Sequence, residues 1–294
     1  FIDDLHITKF RSLENMYLSI GKNLTMISGI NGTGKSTILG ILAQICSFTK
    51  DYVPNDSDSV GVSKDYVPND SDSVDVSDVS KFKTVFGRPF ESNFRNHFKI
   101  STKYDQPKVD YKVDFHINDA GEQLYTSATL DGTHRNNNLR LVLRKNDTIT
   151  DNSSRNITFP TIYLSLRRLT PYVNRKEELP WNELRENEQQ KMISYINNIF
   201  TPVNKLQKNR SNEDGKTGVS SAVVTDDNYD IKSASTGEDN LGQIVSSMLS
   251  FIRLKNDWNG YHGGLLLIDE LDASIFPYAQ KTLLQELKKF SSQY

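Results

Sequence analysis

The residues able to do chemistry fall in three short runs. The first, Gly29-Ile30-Asn31-Gly32-Thr33-Gly34-Lys35-Ser36, sets two glycines four residues apart and follows the second with Lys-Ser. Glycine backbone can curl around an anion with successive N–H groups pointing inward. A helix starting near Gly34 adds its positive dipole end at the same place. The Lys35 ammonium can reach the β- and γ-phosphate oxygens, and the Ser36 hydroxyl is placed to ligand Mg²⁺. Asn31, Gly32, Thr33, Gly34 and the following Thr37 are further candidate phosphate contacts. This is the chemistry of holding a nucleoside triphosphate.

The second run, Gly264-Leu265-Leu266-Leu267-Ile268-Asp269-Glu270, is four apolar residues followed by two carboxylates. Such an apolar run reads as a parallel strand buried on both faces. At its end Asp269 can hold Mg²⁺ directly or through water, and Glu270 can polarise an attacking water. Taken alone, the same letters describe an ordinary strand end. The third run, Ser235-Thr236-Gly237-Glu238-Asp239-Asn240, opens a helix with Leu241, Ile244, Val245, Met248, Leu249 and Ile252 on one face. Ser-Thr-Gly-Glu is also an ordinary helix N-cap.

Elements must hold these runs in place. Residues 24–28 are short, apolar and β-prone, as a strand before a phosphate loop should be. After the loop, Ile38, Ile41, Leu42 and Ile45 fall on one helical face. Residues 2–8 and 16–20 read as two further strands. Between 82 and 165 the pattern is mostly β, with strands expected at 99–102, 109–115, 123–130, 139–144 and 158–165. Asp131-Gly132 and residues 118–121 supply turn chemistry. The basic pair Arg167-Arg168 follows the last strand, at the edge where nucleotides bind in open α/β sheets. It is read as a phosphate or interface contact, or as solvated charge capping the strand.

A change of period marks an insert. Pro180-Trp181 opens a helix whose stripe is Met192, Ile193, Ile196, Ile199 and Phe200. Residues 203–220 are polar and read as loose, with a hairpin expected from 222–225 and 229–231. Earlier, residues 50–63 recur as 64–77 with one difference, Gly61 against Asp75. With eight Asp, two Lys and two Pro between 50 and 80, this stretch buries too little apolar surface to offset chain entropy. It reads as a mobile acidic surface loop without a catalytic role.

Composition narrows the class. The net charge of −2 gives no global footprint for nucleic acid, although a local patch remains open. The single cysteine, Cys46, excludes an internal disulfide framework and reads as a packing residue. No apolar run approaches 18 residues and no signal peptide is seen, so the expectation is a cytoplasmic protein without a membrane. Phe1 in place of Met, and a helix running up to Tyr294, are read as marks of a longer chain.

The Ser-x-Gly-Glu helix start shortly before "LLLIDE", with Leu271-Asp272-Ala273 after it, resembles the ABC-type ATPase heads of the SMC and RecF class. The resemblance covers 1–48, roughly 158–170, and 232–294. It implies an α/β fold, an ABC-type P-loop head with a mixed β-sheet, N-terminal antiparallel strands and a helical insert. The implied domains are a core at 1–170, an insert at 171–231, and a signature-helix and carboxylate-strand part at 232–294. It further implies ATP and Mg²⁺ as cofactors, and catalysis by Glu270 and Lys35. Ser36 and Asp269 would then hold the metal, and Ser235 and Gly237 would contact the γ-phosphate on a second subunit. Leu271-Asp272 resembles the loop that crosses such a dimer. Phe10-Arg11-Ser12 resembles the family's N-terminal segment, placing Arg11 near the nucleotide.

Two family features are missing: no glutamine-bearing loop follows the first helix, and His262 precedes Asp269, so it is not the switch histidine. Within the class the short runs resemble bacterial anti-phage ATPases, notably the ATPase subunit of Septu systems, which works beside an HNH nuclease. Overcoming-lysogenisation-defect ATPase–nucleases carry a similar head. The implied partners are a second copy of the chain or a higher homo-oligomer, a nuclease subunit and DNA. A nucleotide-sensing scaffold with little turnover is the rival reading.

Overall fold

The structure, a computed structural model, describes residues 2–48, 50–53, 75–92, 94–99, 101, 103–105, 111–117, 127–135, 138–145, 156–171, 174, 184–200, 208–213, 220–225 and 233–294. The chain divides into two compact units, Phe1–Lys81 with Asn93–Pro160, and Phe82–Ser92 with Thr161–Tyr294. The architecture is mixed α/β.

In the first unit, strand β1 (Ile2–Phe10) turns at Arg11 and Ser12 and returns antiparallel as β2 (Leu13–Ser19). Arg11 takes a left-handed backbone, φ 56°. Residues 24–28, expected as the strand before the phosphate loop, form none, and Leu24 and Met26 are exposed. A buried strand needs ladder partners, and this segment has none among the described residues. Its turn is held instead by the Gly21 N–H donating to the Thr25 hydroxyl at 2.8 Å.

Helix α1 (Lys35–Gln44) follows, burying Ile38, Ile41 and Leu42 as its spacing predicts. Cys46 is buried, with its thiol directed at the Leu42 carbonyl, a packing role. It belongs to β3 (Cys46–Ser47). Strands β4 (Lys50–Val53) and β5 (Asp75–Asp78) pair antiparallel, so the ends of the repeat segment form a ladder where a loop was expected. Residues 54–74 lie outside the described residues.

After the short helix α2 (Phe94–His97) come β6 (Lys112–Ile117), β7 (Ser127–Arg135) and β8 (Asn138–Lys145). They complete a five-stranded antiparallel sheet in the order β2-β1-β6-β7-β8. Apolar residues meet across it on one face: Leu5 opposite Phe115, Ile7 opposite Val113, Val113 opposite Leu130, and Leu130 opposite Leu143, all buried. Asp131-Gly132 is no turn. It lies inside β7, paired with Val142 and Leu141, because ladders on both sides hold the chain extended. Residues 99–102 carry no described strand, and 118–121 lie outside the described residues. Strand β9 (Ile157–Thr158) pairs with β3 in parallel.

In the second unit, β10 (Thr161–Leu164) is separated from β9 by Phe159 and Pro160, where one strand over 158–165 was expected. Proline at the break offers no ladder donor. Helix α3 (Glu186–Ile199) starts later than Pro180-Trp181, at a turn closed by the Arg185 N–H donating to the Glu188 carboxylate at 2.9 Å. Residues 180–183 lie outside the described residues. The stripe buries Met192, Ile196 and Ile199.

Strand β11 (Lys208–Glu213) pairs antiparallel with β12 (Ser220–Thr225). The partner of 222–225 therefore comes from the stretch read as loose, while 229–231 lie outside the described residues. Backbone pairing, not side-chain hydrophobicity, makes β11 a strand. Helix α4 (Thr236–Asp257) is buried nearly all round, and packs so closely on β12 that a Cβ at Gly242 would lie 1.5 Å from the Ala222 carbonyl oxygen. Strand β13 (Leu265–Ile268) runs parallel to β10, with only Leu267 fully buried rather than both faces. Helix α5 (Pro277–Ser291) turns Ala279, Leu283, Leu287 and Phe290 inward.

Candidate nucleotide-binding site

The phosphate loop belongs to the first unit. Gly32 and Gly34 take left-handed backbones, φ 83° and 92°. Gly34 is also the N-cap of α1, and a Cβ there would lie 2.7 Å from Leu13 Cδ2. Glycine is thus required twice over, by conformation and by space. The first helical hydrogen bond is Ile38 N–H to the Gly34 carbonyl, 3.0 Å. The amides of Lys35, Ser36 and Thr37 before it are those a helix cannot satisfy itself, and they carry its positive dipole end.

The Lys35 ammonium donates to the carbonyls of Gly29 at 2.7 Å and Ile30 at 3.0 Å, which keeps it over the loop. Thr33 closes the same turn by donating to the Ile30 carbonyl at 2.8 Å. Asn31, Gly32, Thr33 and Ser36 are exposed. An anion with several oxygens fits this curl of free amides, ammonium and hydroxyls.

Arg11, in the turn leading to Leu13, donates from Nη2 to the Lys99 carbonyl at 2.9 Å and to Asp105 Oδ2 at 3.1 Å. Its guanidinium lies over the Phe98 ring. Asp105 is buried and also accepts from the Tyr111 hydroxyl at 2.6 Å and the Ser101 N–H at 2.7 Å. Burial alone pushes the Asp105 carboxyl up, but Tyr111, Ser101 and Arg11 outweigh it and hold it below the usual carboxylate range. Burial, then Asp105, raises Tyr111 to about 12. No spacing in the sequence announces Asp105 or Tyr111, because both lie far along the chain from Arg11.

The carboxylates and the Ser-x-Gly run belong to the second unit. The Ser235 hydroxyl accepts from the Glu238 N–H at 3.2 Å, and Glu238 accepts from the Ser235 N–H at 2.8 Å, so the N-cap reading is realised. A Cβ at Gly237 would lie 2.4 Å from the Ser274 carbonyl oxygen. The helix start therefore sits directly on the loop that follows Glu270. Asp269 is 5% exposed and donates its N–H to the Leu164 carbonyl at 3.0 Å. Glu270 is exposed and left-handed, φ 47°.

Arg167 is exposed, whereas Arg168 is 3% exposed and is neither a solvated cap nor an open phosphate contact. Its donors go to Asn240 Oδ1 (2.8 Å) and to the carbonyls of Leu164 (3.2 Å), Ser165 (3.1 Å) and Glu270 (2.8 Å). Burial pushes its guanidinium down from the usual arginine range, against the pull of Asp269, Glu270, Tyr163 and Asp272. Arginine stays charged throughout. Burial, then Asp269, lifts Tyr163 to about 12. Among the described residues no group of three or more His, Cys, Asp or Glu side chains could hold a metal. Mg²⁺ would instead arrive with the phosphates at the exposed Ser36 hydroxyl, while Asp269 lies in the other unit.

No helix among the described residues is long and apolar enough to cross a membrane. Comparison with curated proteins and with solved structures finds no match. A family model described as an AAA domain matches residues 4–256, most of the chain but not the stretch that bears Asp269 and Glu270. With left-handed glycines, Lys35 and first-turn amides at one loop, the chain belongs to the AAA domain family of ATPases.

Proposed function

We propose that this chain is an ABC-type ATPase head of the SMC/RecF class, which binds Mg²⁺-ATP, hydrolyses it, and associates with a second copy around the nucleotide. The observation that supports it most is the loop 29–36, with Gly32 and Gly34 left-handed and the Lys35 ammonium held over two loop carbonyls. Lys35 and the first amides of α1 hold phosphate oxygens, with Asn31, Thr33 and Thr37 beside them in sequence and Arg11 in the turn before Leu13, which packs on Gly34. Mg²⁺ supplies charge neutralisation at the phosphates. Glu270 takes a proton from the attacking water. Ser235 and Gly237 face the γ-phosphate of the second copy. Following the resemblance to Septu ATPases, the same reading gives the chain a nuclease partner in anti-phage defence.

Glu270→Gln tests the reading. Glutamine is nearly isosteric, so ATP affinity should persist while turnover falls by about a hundredfold or more. ATP bridging two surfaces stabilises the dimer by the free energy with which dimerisation tightens ATP. Glu270→Gln with ATP should therefore sediment as a larger species, and Ser235→Arg should abolish that shift. Sedimentation indifferent to ATP would reject the nucleotide-bridged dimer, and undiminished hydrolysis would reject Glu270 as the base.

A further inference from the structure

Arg168 is the hub of a closed set of hydrogen bonds inside the second unit. Two residues of α4, one turn apart, grip it: Asn240 Oδ1 accepts from its Nε at 2.8 Å, and Gln243 Nε2 donates to its backbone carbonyl at 3.0 Å. Its Nη2 reaches across to the Glu270 carbonyl at 2.8 Å. The other end of the Asn240 amide donates to the Ala273 carbonyl at 2.8 Å. The turn 270–273 is thus held at one end by Arg168 and at the other by Asn240 of α4, which itself binds Arg168. Inside the turn, the Ala273 N–H donates to the Glu270 carbonyl at 3.1 Å.

That grip has a reason. Glu270 and Ser274 both take left-handed backbones, φ 47° and 61°, a conformation that non-glycine residues keep only where surroundings over-determine it. Burying a guanidinium is costly unless its fork is fully used, and here every nitrogen of Arg168 is engaged. The planar fork is what allows one side chain to bond α4 and the Glu270 turn together.

We propose that Arg168 is a positioning residue which, with Asn240, ties the helix start bearing Ser235 and Gly237 to the turn bearing Glu270 and fixes the direction of the Glu270 carboxylate. The inference rests on Glu270 being the group that polarises water. A change at Ser235–Gly237 then reaches Glu270 through two side chains.

Arg168→Lys in the full chain keeps the charge but cannot span Asn240 and Glu270. Mg²⁺-ATP affinity by calorimetry and KM should stay within about threefold, while kcat falls about ten- to hundredfold, as small misplacement of a reacting group does. In the nucleotide-free protein, hydrogen exchange of amides 269–275 should quicken, with those of 244–254 unchanged. Added to Glu270→Gln, Arg168→Lys should cost no further single-turnover rate. Asn240→Asp, which keeps the acceptor for Arg168 and loses the donor to Ala273, provides a milder variant with the same pattern should Arg168→Lys fail to fold. Unchanged kcat in both variants overturns the inference, as does an equal further loss in the Glu270→Gln background. Absence of hydrolysis by the unaltered chain overturns the parent reading, and this one with it. Hydrolysis that ignores Arg168 and Asn240 overturns this one alone.

Discussion

Arg11 and Asp105 are 94 residues apart in the chain and 3.1 Å apart in space. The pair fixes the turn whose next apolar residue, Leu13, packs on Gly34 of the phosphate loop. Asp105→Ala would strand the Tyr111 hydroxyl and the Ser101 amide and leave the Arg11 guanidinium only its Lys99 carbonyl. Leaving several such donors without an acceptor costs about 2–4 kcal/mol, to be read from denaturant unfolding. A change under about 0.5 kcal/mol would show that the pair is merely a surface contact.

Acid should weaken the fold in two stages. Burial pushes His97 down to about 4 from its ordinary 6.5. The unfolded chain therefore takes up this proton first, and stability falls as pH drops between about 6.5 and 4. Asp105 and Glu188 are held below the ordinary carboxylate range; for Glu188, burial raises it but Arg253 and the Arg185 N–H more than reverse that. Their contribution is present above the ordinary carboxylate pKa and is lost as pH falls through their lowered values. Urea midpoints at pH 7, 5.5 and 4.5 should decline in the unaltered chain and flatten over that range in His97→Leu.

Lys35→Ala should leave the melting temperature unchanged and weaken Mg²⁺-ATP binding about ten- to hundredfold, the worth of a charge-assisted hydrogen bond. Calorimetry showing equal affinity would make the loop a structural turn only.

Gly242→Ala places a methyl 1.5 Å from a carbonyl oxygen that cannot move without breaking β12. The same residue, Ala222, donates its N–H to Asp239 at 3.1 Å, pinning the strand to α4. Overpacking of this kind should cost about 3–5 kcal/mol. A thermal scan within a degree of the unaltered chain would contradict the close approach.

What the sequence disclosed was whatever repeats at short range. The α1 face, the α4 stripe, the strand before Asp269 and the left-handed glycines of the loop all follow from local spacing. What it hid depends on distant partners. Asp131-Gly132 carries turn letters, yet ladders from β6 and β8 overrule them. Polar β11 is a strand because β12 pairs with it. Residues 24–28 have strand letters without a described partner. Arg168 carried a charge that suggested solvent or phosphate, and only the fold shows it spent on Asn240 and Glu270. Asp105 and Tyr111 belong to the same class.

The ladder at the foot of the repeat carries a message about heredity. Its two strands are the head of the first copy, Lys50–Val53, and the last three residues of the second with the Asp78 that follows, Asp75–Asp78. The second copy has the same head at 64–67, and the first has nearly the same tail at 61–63, with Gly61 for Asp75. Recombination between the copies, by excising one or adding another in frame, regenerates a head and a tail each time. Loop closure grows only logarithmically with length. Gain or loss of one copy, a step of fourteen residues, therefore leaves the same kinds of residue at both ends for the pairing of Lys50–Val53 with Asp75–Asp78.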